Sequence, residues 1–260
     1  MLTGLCSVGV ISAHAQSVIS DPAAQPAAHS VSVAASSTLT SQYMFRGVRL
    51  GGFSFQPSVT GTYGNATLGI WSNFPLDNDV PGQSDPEFDY TGAYTIKLGE
   101  NLSVVPGFTI YHYPRAETSN GFYRSTFEPS LAVNYTVAGV TLTPKFYYDV
   151  TLDGPTYELS AAYTFPLDAL HTGLTFGGTL GTFIQKHVSN HASPAVKNWG
   201  DYWLLGVSAP FTLTEQSKLV VGWAYTEGSN NYLKQGQAPR SENSSAVGRG
   251  VFTVNYIFTF

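Results

Sequence analysis

The sequence predicts an all-β protein, an up-and-down antiparallel transmembrane β-barrel of about twelve strands. Three observations carry this. Charged residues make up only 11% of the 260, against roughly 25% in an average soluble domain, while aromatics reach 14%. The chain closes on GVFTVNYIFTF, in which Phe252, Val254, Tyr256, Phe258 and Phe260 alternate with Thr253, Asn255 and Thr259, the period-two signature of a strand with one apolar face. Turn signals separate many such segments, and the connections alternate between short and long. Nowhere do about 18 apolar residues run together as a membrane helix needs. The mean hydropathy of -0.02 is no objection, because alternating strands average their apolar and polar residues away. A net charge of -5 with no basic block gives no reason to expect nucleic acid.

The N-terminus has a short apolar run from Leu2 to Ile11, followed by Ala13-His14-Ala15, a small-x-small cleavage pattern. Residues 1–15 therefore read as a secretory signal peptide, although a basic leading segment is missing. Cys6 lies inside it, preceded by Leu5 where a lipoprotein signal needs a small residue, so neither a lipid anchor nor a disulfide is expected in the mature chain. Residues 16–36 are rich in Ala, Ser and Pro and read as a flexible lead-in, leaving residues 37–260 as one barrel domain.

The strands are expected at about 38–46, 53–63, 66–74, 87–98, 102–113, 123–137, 140–150, 156–165, 172–185, 201–210, 218–226 and 247–260. Short turns such as Gly64-Asn65 and Ala138-Gly139 belong at the periplasmic end. Longer connections, such as 75–86, 114–122, 186–200 and 227–246, belong at the external end. Within these strands Arg46, Glu87, Asp89, Lys97, Arg124, Glu128, Lys145, Asp149, Glu158, Lys218 and Arg249 all fall opposite to the apolar parity, which makes them pore-lining. Only Asp201 breaks the rule. The apolar parity, which includes Tyr43, Phe45, Val59, Leu131 and Trp223, gathers its aromatics towards the strand ends, where the lipid-water interfaces lie. A soluble sandwich would turn the same face inward, but would then show water a surface of mostly Ser, Thr and Gly.

The last strand is expected to close the barrel against the first, removing an edge that hydrocarbon could not solvate. Phe258 and Phe260 resemble the terminal signal by which bacterial outer-membrane barrels are recognised by their assembly machinery. Pro57, Pro106, Pro129 and Pro144 lie inside proposed strands, where each removes a ladder donor, so bulges or local gaps are expected there.

Thr38 to Phe74 carries Ser41-x-Tyr43-x-Phe45-Arg46-Gly47, then Gln56-Pro57, then Trp71-Ser72-Asn73; EFDYTGAY and GFTIYHYP follow. These stretches resemble the TorF-like family of outer-membrane porins, to about residue 114. The resemblance implies an exported barrel with a transport role, and brings no substrate or catalytic residue with it.

Signals for catalysis are weak. His112 has outward parity beside Tyr111 and Tyr113 and no nucleophile motif accompanies it. His187 and His191 stand four apart in a loop without further ligands, and Asp77-x-Asp79 lacks the rest of a calcium loop, so no metal and no cofactor are expected. Glu87 and Asp89 share the lumen face near the external mouth with Glu128, Asp149 and Glu158, while Arg46 and Arg249 sit on the first and last strands. Two opposed sectors of charge would result, filtering small polar solutes across open water; alternatively the same residues pair and fill the lumen. The expected function is a passive outer-membrane channel in a Gram-negative bacterium, exported through the periplasm. Its partners would be outer-membrane lipid and lipopolysaccharide, the barrel assembly machinery and small polar solutes. A lipid-modifying enzyme and a filled structural or adhesive barrel are the alternatives; a His beside a nucleophile on the membrane face would favour the enzyme, and a lumen blocked by side chains or a folded-in loop would favour the structural reading.

Overall fold

The structure, a computed structural model, describes residues 31–77, 86–170, 172–186, 197–230 and 248–260. It is a closed antiparallel barrel of twelve wall strands. In chain order these are β1 (Val31–Thr40), β4 (Ser54–Tyr63), β5 (Ala66–Pro75), β6 (Glu87–Tyr94) continued by β7 (Ile96–Lys97), β8 (Leu102–His112), β9 (Ser125–Val137), β10 (Val140–Asp149), β11 (Gly154–Leu167), β12 (Thr172–Lys186), β13 (Lys197–Thr212), β14 (Ser217–Asn230) and β15 (Arg249–Thr259). Two further short strands, β2 (Tyr43–Phe45) and β3 (Val48–Gly51), pair only with each other. Each wall strand pairs with its neighbours in sequence, and β15 returns to pair with β1 through contacts such as Ala35↔Phe258 and Leu39↔Val254. The Phe260 N–H donates to the Val33 carbonyl at 2.9 Å, so the chain terminus is stitched into the seam.

Outward positions carry the exposed apolar belt, including Val59, Leu68, Ile70, Phe127, Leu131, Tyr163, Phe176, Leu205, Trp223, Phe252 and Tyr256. Inward positions bury Thr38, Gln56, Glu87, Glu128, Thr156, Thr179 and Asn255 instead. This inside-out arrangement of polarity is what a spanning barrel requires. The largest rings do not form a core: among the buried residues the apolar cluster consists of Phe183 and Tyr202 alone.

One expectation about the wall is overturned. The first wall strand is not 38–46 but Val31–Thr40, so it starts inside the stretch read as a lead-in. Both segments alternate, but Ala and Ser dilute the apolar signal of the earlier one, and alternation does not say whether a strand lies in the wall or within the lumen. Tyr43 and Phe45 accordingly do not face outward; they belong to the β2–β3 hairpin, where Tyr43 is fully buried.

The four prolines make gaps, not bulges. Opposite Pro57 the β4–β5 ladder lapses between Phe55↔Phe74 and Ser58↔Trp71 and resumes in the same register. Opposite Pro144 the β9–β10 ladder lapses between Leu142↔Tyr135 and Lys145↔Ala132, again without a shift. Pro106 faces the break between β6 and β7, and the β9–β10 ladder stops at Tyr147↔Ser130, one step before Pro129. A proline removes one donor but leaves its carbonyl and extended backbone intact, so a short lapse in the ladder accommodates it without a change of register.

Candidate functional site

After Thr40 the chain leaves the wall and folds back into the lumen as the β2–β3 hairpin before re-entering at Ser54. Its two-residue turn is Arg46-Gly47, flanked by the pair Phe45↔Val48. Both turn residues have positive φ, 48° and 73°, as the tight hairpin turns that match strand twist require. Gly47 is needed for a second reason. A Cβ there would lie 2.6 Å from the Gly228 Cα on β14 and 2.8 Å from the Tyr202 Cβ on β13, so only glycine lets the tip dock on the wall.

The hairpin reaches most of the circumference. Tyr43 packs its ring 5.7 Å from Trp71 of β5 and donates its hydroxyl to Glu87 Oε2 of β6 at 2.8 Å. Phe45 meets Tyr111 of β8 edge-on at 5.9 Å. Arg46 Nη2 donates to Glu128 Oε1 of β9 at 2.9 Å, and its guanidinium lies 4.9 Å from the Tyr147 ring of β10. At the base, Arg49 Nε donates to Gln42 Oε1.

Around this hairpin runs a girdle of tyrosines and carboxylates. Glu87 also accepts from Tyr113 at 2.9 Å, and Glu128 from Tyr111 at 2.9 Å. Glu158 accepts from Tyr147 on one oxygen and from Tyr202, at 2.6 Å, on the other. Buried charges need such partners, and here they come from β8 and the residue that follows it, from β10 and β13, and from the hairpin. On the short-turn side of the girdle the wall changes character. Thr67, Thr91, Thr109, Ser130 and Lys145, with Gly107 and Ala132 between them, line a cavity of about 170 Å³.

A family model described as a bacterial protein of unknown function, Gcw_chp, matches residues 23–254. The chain belongs to that family. No curated protein matches it. Among solved structures the Gcw_chp barrel is similar to the NanC porin, with 11% identity, a TM-score of 0.52, and coverage of 87% of this chain and 98% of that one. It is also similar to the KdgM porin, solved in complex with disordered oligogalacturonate, at 13% identity, a TM-score of 0.51, and coverage of 88% and 99%. At these identities the likeness establishes the fold. The TorF-like name is not the one the family comparison returns, and the likeness of residues 38–114 to it stays a resemblance.

Within this Gcw_chp chain the expected lumen residues divide into those the fold brings together and those it does not. Arg46, Glu87, Glu128 and Glu158 meet in the girdle, and Asp89 is buried on the same face. Lys145 Nζ stands 4.4 Å from the Tyr147 ring at its lower edge. Asp149 turns to the loop beyond its strand and accepts the N–H groups of Thr151 and Leu152. Lys97 and Lys218 lie near the short-turn end of the barrel and Arg124 just beyond β9 at the other, all apart from the girdle. Arg249 is on β15 opposite Thr226. The two opposed sectors across open water are not what forms: Arg46 is not on the wall, and the hairpin carries it over to Glu128. Charge reasoning alone also missed Arg49 and five tyrosines, 43, 111, 113, 147 and 202. The inward parity of Tyr111, Tyr113, Tyr147 and Tyr202 was a signal for four of them.

His112 faces outward and is paired across the sheet with Ser125; His112 Nδ1 and Ser125 Oγ are 2.8 Å apart. His187, His191 and Asp79 lie outside the described residues. Phe258 and Phe260 pack edge to face at 4.9 Å beside the seam.

Proposed function

We propose that this protein is an outer-membrane channel of a Gram-negative bacterium through which small hydrophilic solutes diffuse passively, with the lumen charges and the folded-in hairpin deciding which of them pass. The observation that carries the reading is the polar lining of the lumen beside the hairpin. The hairpin is held across the lumen by hydroxyl and charge contacts and by the packing of Tyr43 on Trp71 and Phe45 on Tyr111, above a wall of Thr, Ser, Gly and Ala. Such a lining offers permeating water and solutes hydrogen-bond partners. The hairpin folded into the lumen is the feature that favours the filled structural barrel, and conduction is what separates the two. The solved barrels of similar fold are porins by name, and the resemblance of residues 38–114 points the same way. Phe258 and Phe260 serve as the assembly signal in this reading, and residues 1–15 as the export signal.

Liposome swelling with reconstituted protein tests it. Vesicles should swell in isotonic solutions of small neutral sugars and less so as the sugar grows. No swelling with any solute, from protein shown to be folded, would remove the channel reading.

A second reading attaches to one observation. His112 beside Ser125 on the membrane face is the pair a lipid hydrolase would use, with Ser125 as nucleophile and His112 as base. The ring's cross-strand neighbour on its other side is Phe88, which cannot orient an imidazole as the third member of a triad does. Ester hydrolysis that disappears in Ser125→Ala would establish the enzyme; its absence from the wild type would dismiss it.

A further inference from the structure

The cavity on the short-turn side of the hairpin is built by its sequence. One level nearer the long loops the inward positions carry Trp71, Asp89, Tyr111, Glu128 and Tyr147. At the cavity the corresponding positions are Ala93, Gly107 and Ala132, interspersed with Thr67, Thr91, Thr109 and Ser130. Small residues on this arc of the wall set it back; Val105 and Phe108 also border it, and Lys145 is the charged side chain in its lining.

The polar groups there are uncommitted, in contrast to the girdle. The hydroxyls of Thr91, Thr109 and Ser130 make no hydrogen bond to another side chain among the described residues. Lys145 makes no ion pair among them; its one specific contact is with the Tyr147 ring. The nearby carboxylates are engaged elsewhere, Glu128 by Arg46 and Tyr111 and Glu158 by Tyr147 and Tyr202. Lys145 stands directly opposite Glu158 in the β10–β11 ladder, yet among the described residues no carboxylate oxygen lies within ion-pairing distance of its ammonium, which is thus available to a ligand.

We infer that this cavity is a solute-binding subsite for a small hydroxylated carboxylate of the sugar-acid class, its carboxylate held by Lys145 and its hydroxyls by Thr91, Thr109 and Ser130. The cavity, about 170 Å³ and open to the lumen on one side, has room for a small ligand. An ammonium on a flexible stem takes a carboxylate as a point charge, and donors and acceptors arranged on one wall recognise ring hydroxyls. The inference rests on the channel reading for its physiological meaning, but binding is measurable without transport.

The experiment is calorimetric titration of the full-length, detergent-solubilised barrel with glucuronate at low ionic strength, with glucose as the uncharged control. Glucuronate should bind saturably and more tightly than glucose. Lys145→Gln should weaken glucuronate by about tenfold or more, since a charge-assisted bond is lost, while leaving glucose nearly unchanged. Lys145→Arg should restore most of the affinity. Thr109→Val, which keeps both shape and charge, should weaken both sugars. Heat-modifiable mobility on gels shows which variants are folded, and Thr109→Val decides the matter where Lys145→Gln is not. Absence of saturable binding to the wild type, or a folded Lys145→Gln that binds glucuronate as before, overturns the subsite. A barrel that conducts without binding glucuronate loses only the subsite. One that binds without conducting loses the transport reading and keeps the subsite.

Discussion

Arg46 carries more of the architecture than any other single side chain. Its backbone forms half of the hairpin turn, and its guanidinium joins the hairpin to Glu128, with both side chains about 95% or more removed from solvent. Removing one partner of such a pair strands the other, at a cost of about 3–5 kcal/mol, whereas removing both leaves no uncompensated charge. Arg46→Gln and Glu128→Gln should therefore each lower the temperature of barrel unfolding, and the double variant should recover much of the loss. A strictly additive double-mutant cycle would show that the pair is not coupled. Gly47 is the second sensitive residue, because both its positive φ and its contact with Gly228 exclude a side chain. Gly47→Val should undock the tip, and protease cleavage within residues 41–53 of the folded barrel is the readout. At this scale the sequence was only partly legible. Parity put Glu87, Glu128 and Glu158 on the inward face, because a strand's two faces follow from counting, whereas Arg46 was counted on a wall strand that ends at Thr40. It could not show that Arg46 and Glu128 touch, since the contact depends on a hairpin leaving the wall. The tyrosines escaped because aromatics were weighed as lipid-facing, although a tyrosine hydroxyl is also a good partner for a buried carboxylate.

Among the elements, the hairpin is separable from the wall. Thr40↔Ser54 already closes the β1–β4 ladder, and β2 and β3 add no rung to it. Replacing residues 41–53 by a short Gly/Ser turn should leave a folded, heat-modifiable barrel, with unchanged strand content by circular dichroism. Failure of that variant to assemble would mean that the hairpin nucleates the wall. From β4 onward the wall strands lie within four residues of their expected bounds, because alternation, turn residues and the proline gaps all act locally. β1 was misplaced for a physical reason: a strand rich in Ala and Ser satisfies the wall's hydrogen bonds as well as an apolar one does, without announcing itself. β15 was legible to its last residue. Deleting Phe260 removes its N–H bond to Val33 and its ring contact with Phe258. Outer-membrane insertion should fall while export persists; wild-type amounts of folded barrel would count against an assembly role.

At the scale of the whole molecule the outward belt and the polar interior together make a protein whose stable environment is a bilayer. Leu131 is outward and exposed, midway along β9. Leu131→Arg should cost about 2–4 kcal/mol of stability in lipid if it sits near the midplane, and unfolding in vesicles measures this. An unchanged stability would mean that the belt does not face hydrocarbon. The central claim is that the barrel conducts and that its hairpin sets the passage. Single-channel recording in planar bilayers, comparing wild type with the variant in which residues 41–53 are replaced, tests it most directly. Wild type should show discrete small conductance steps and the variant larger ones with altered ion selectivity; a silent wild type, or equal conductance in the two folded proteins, would contradict it.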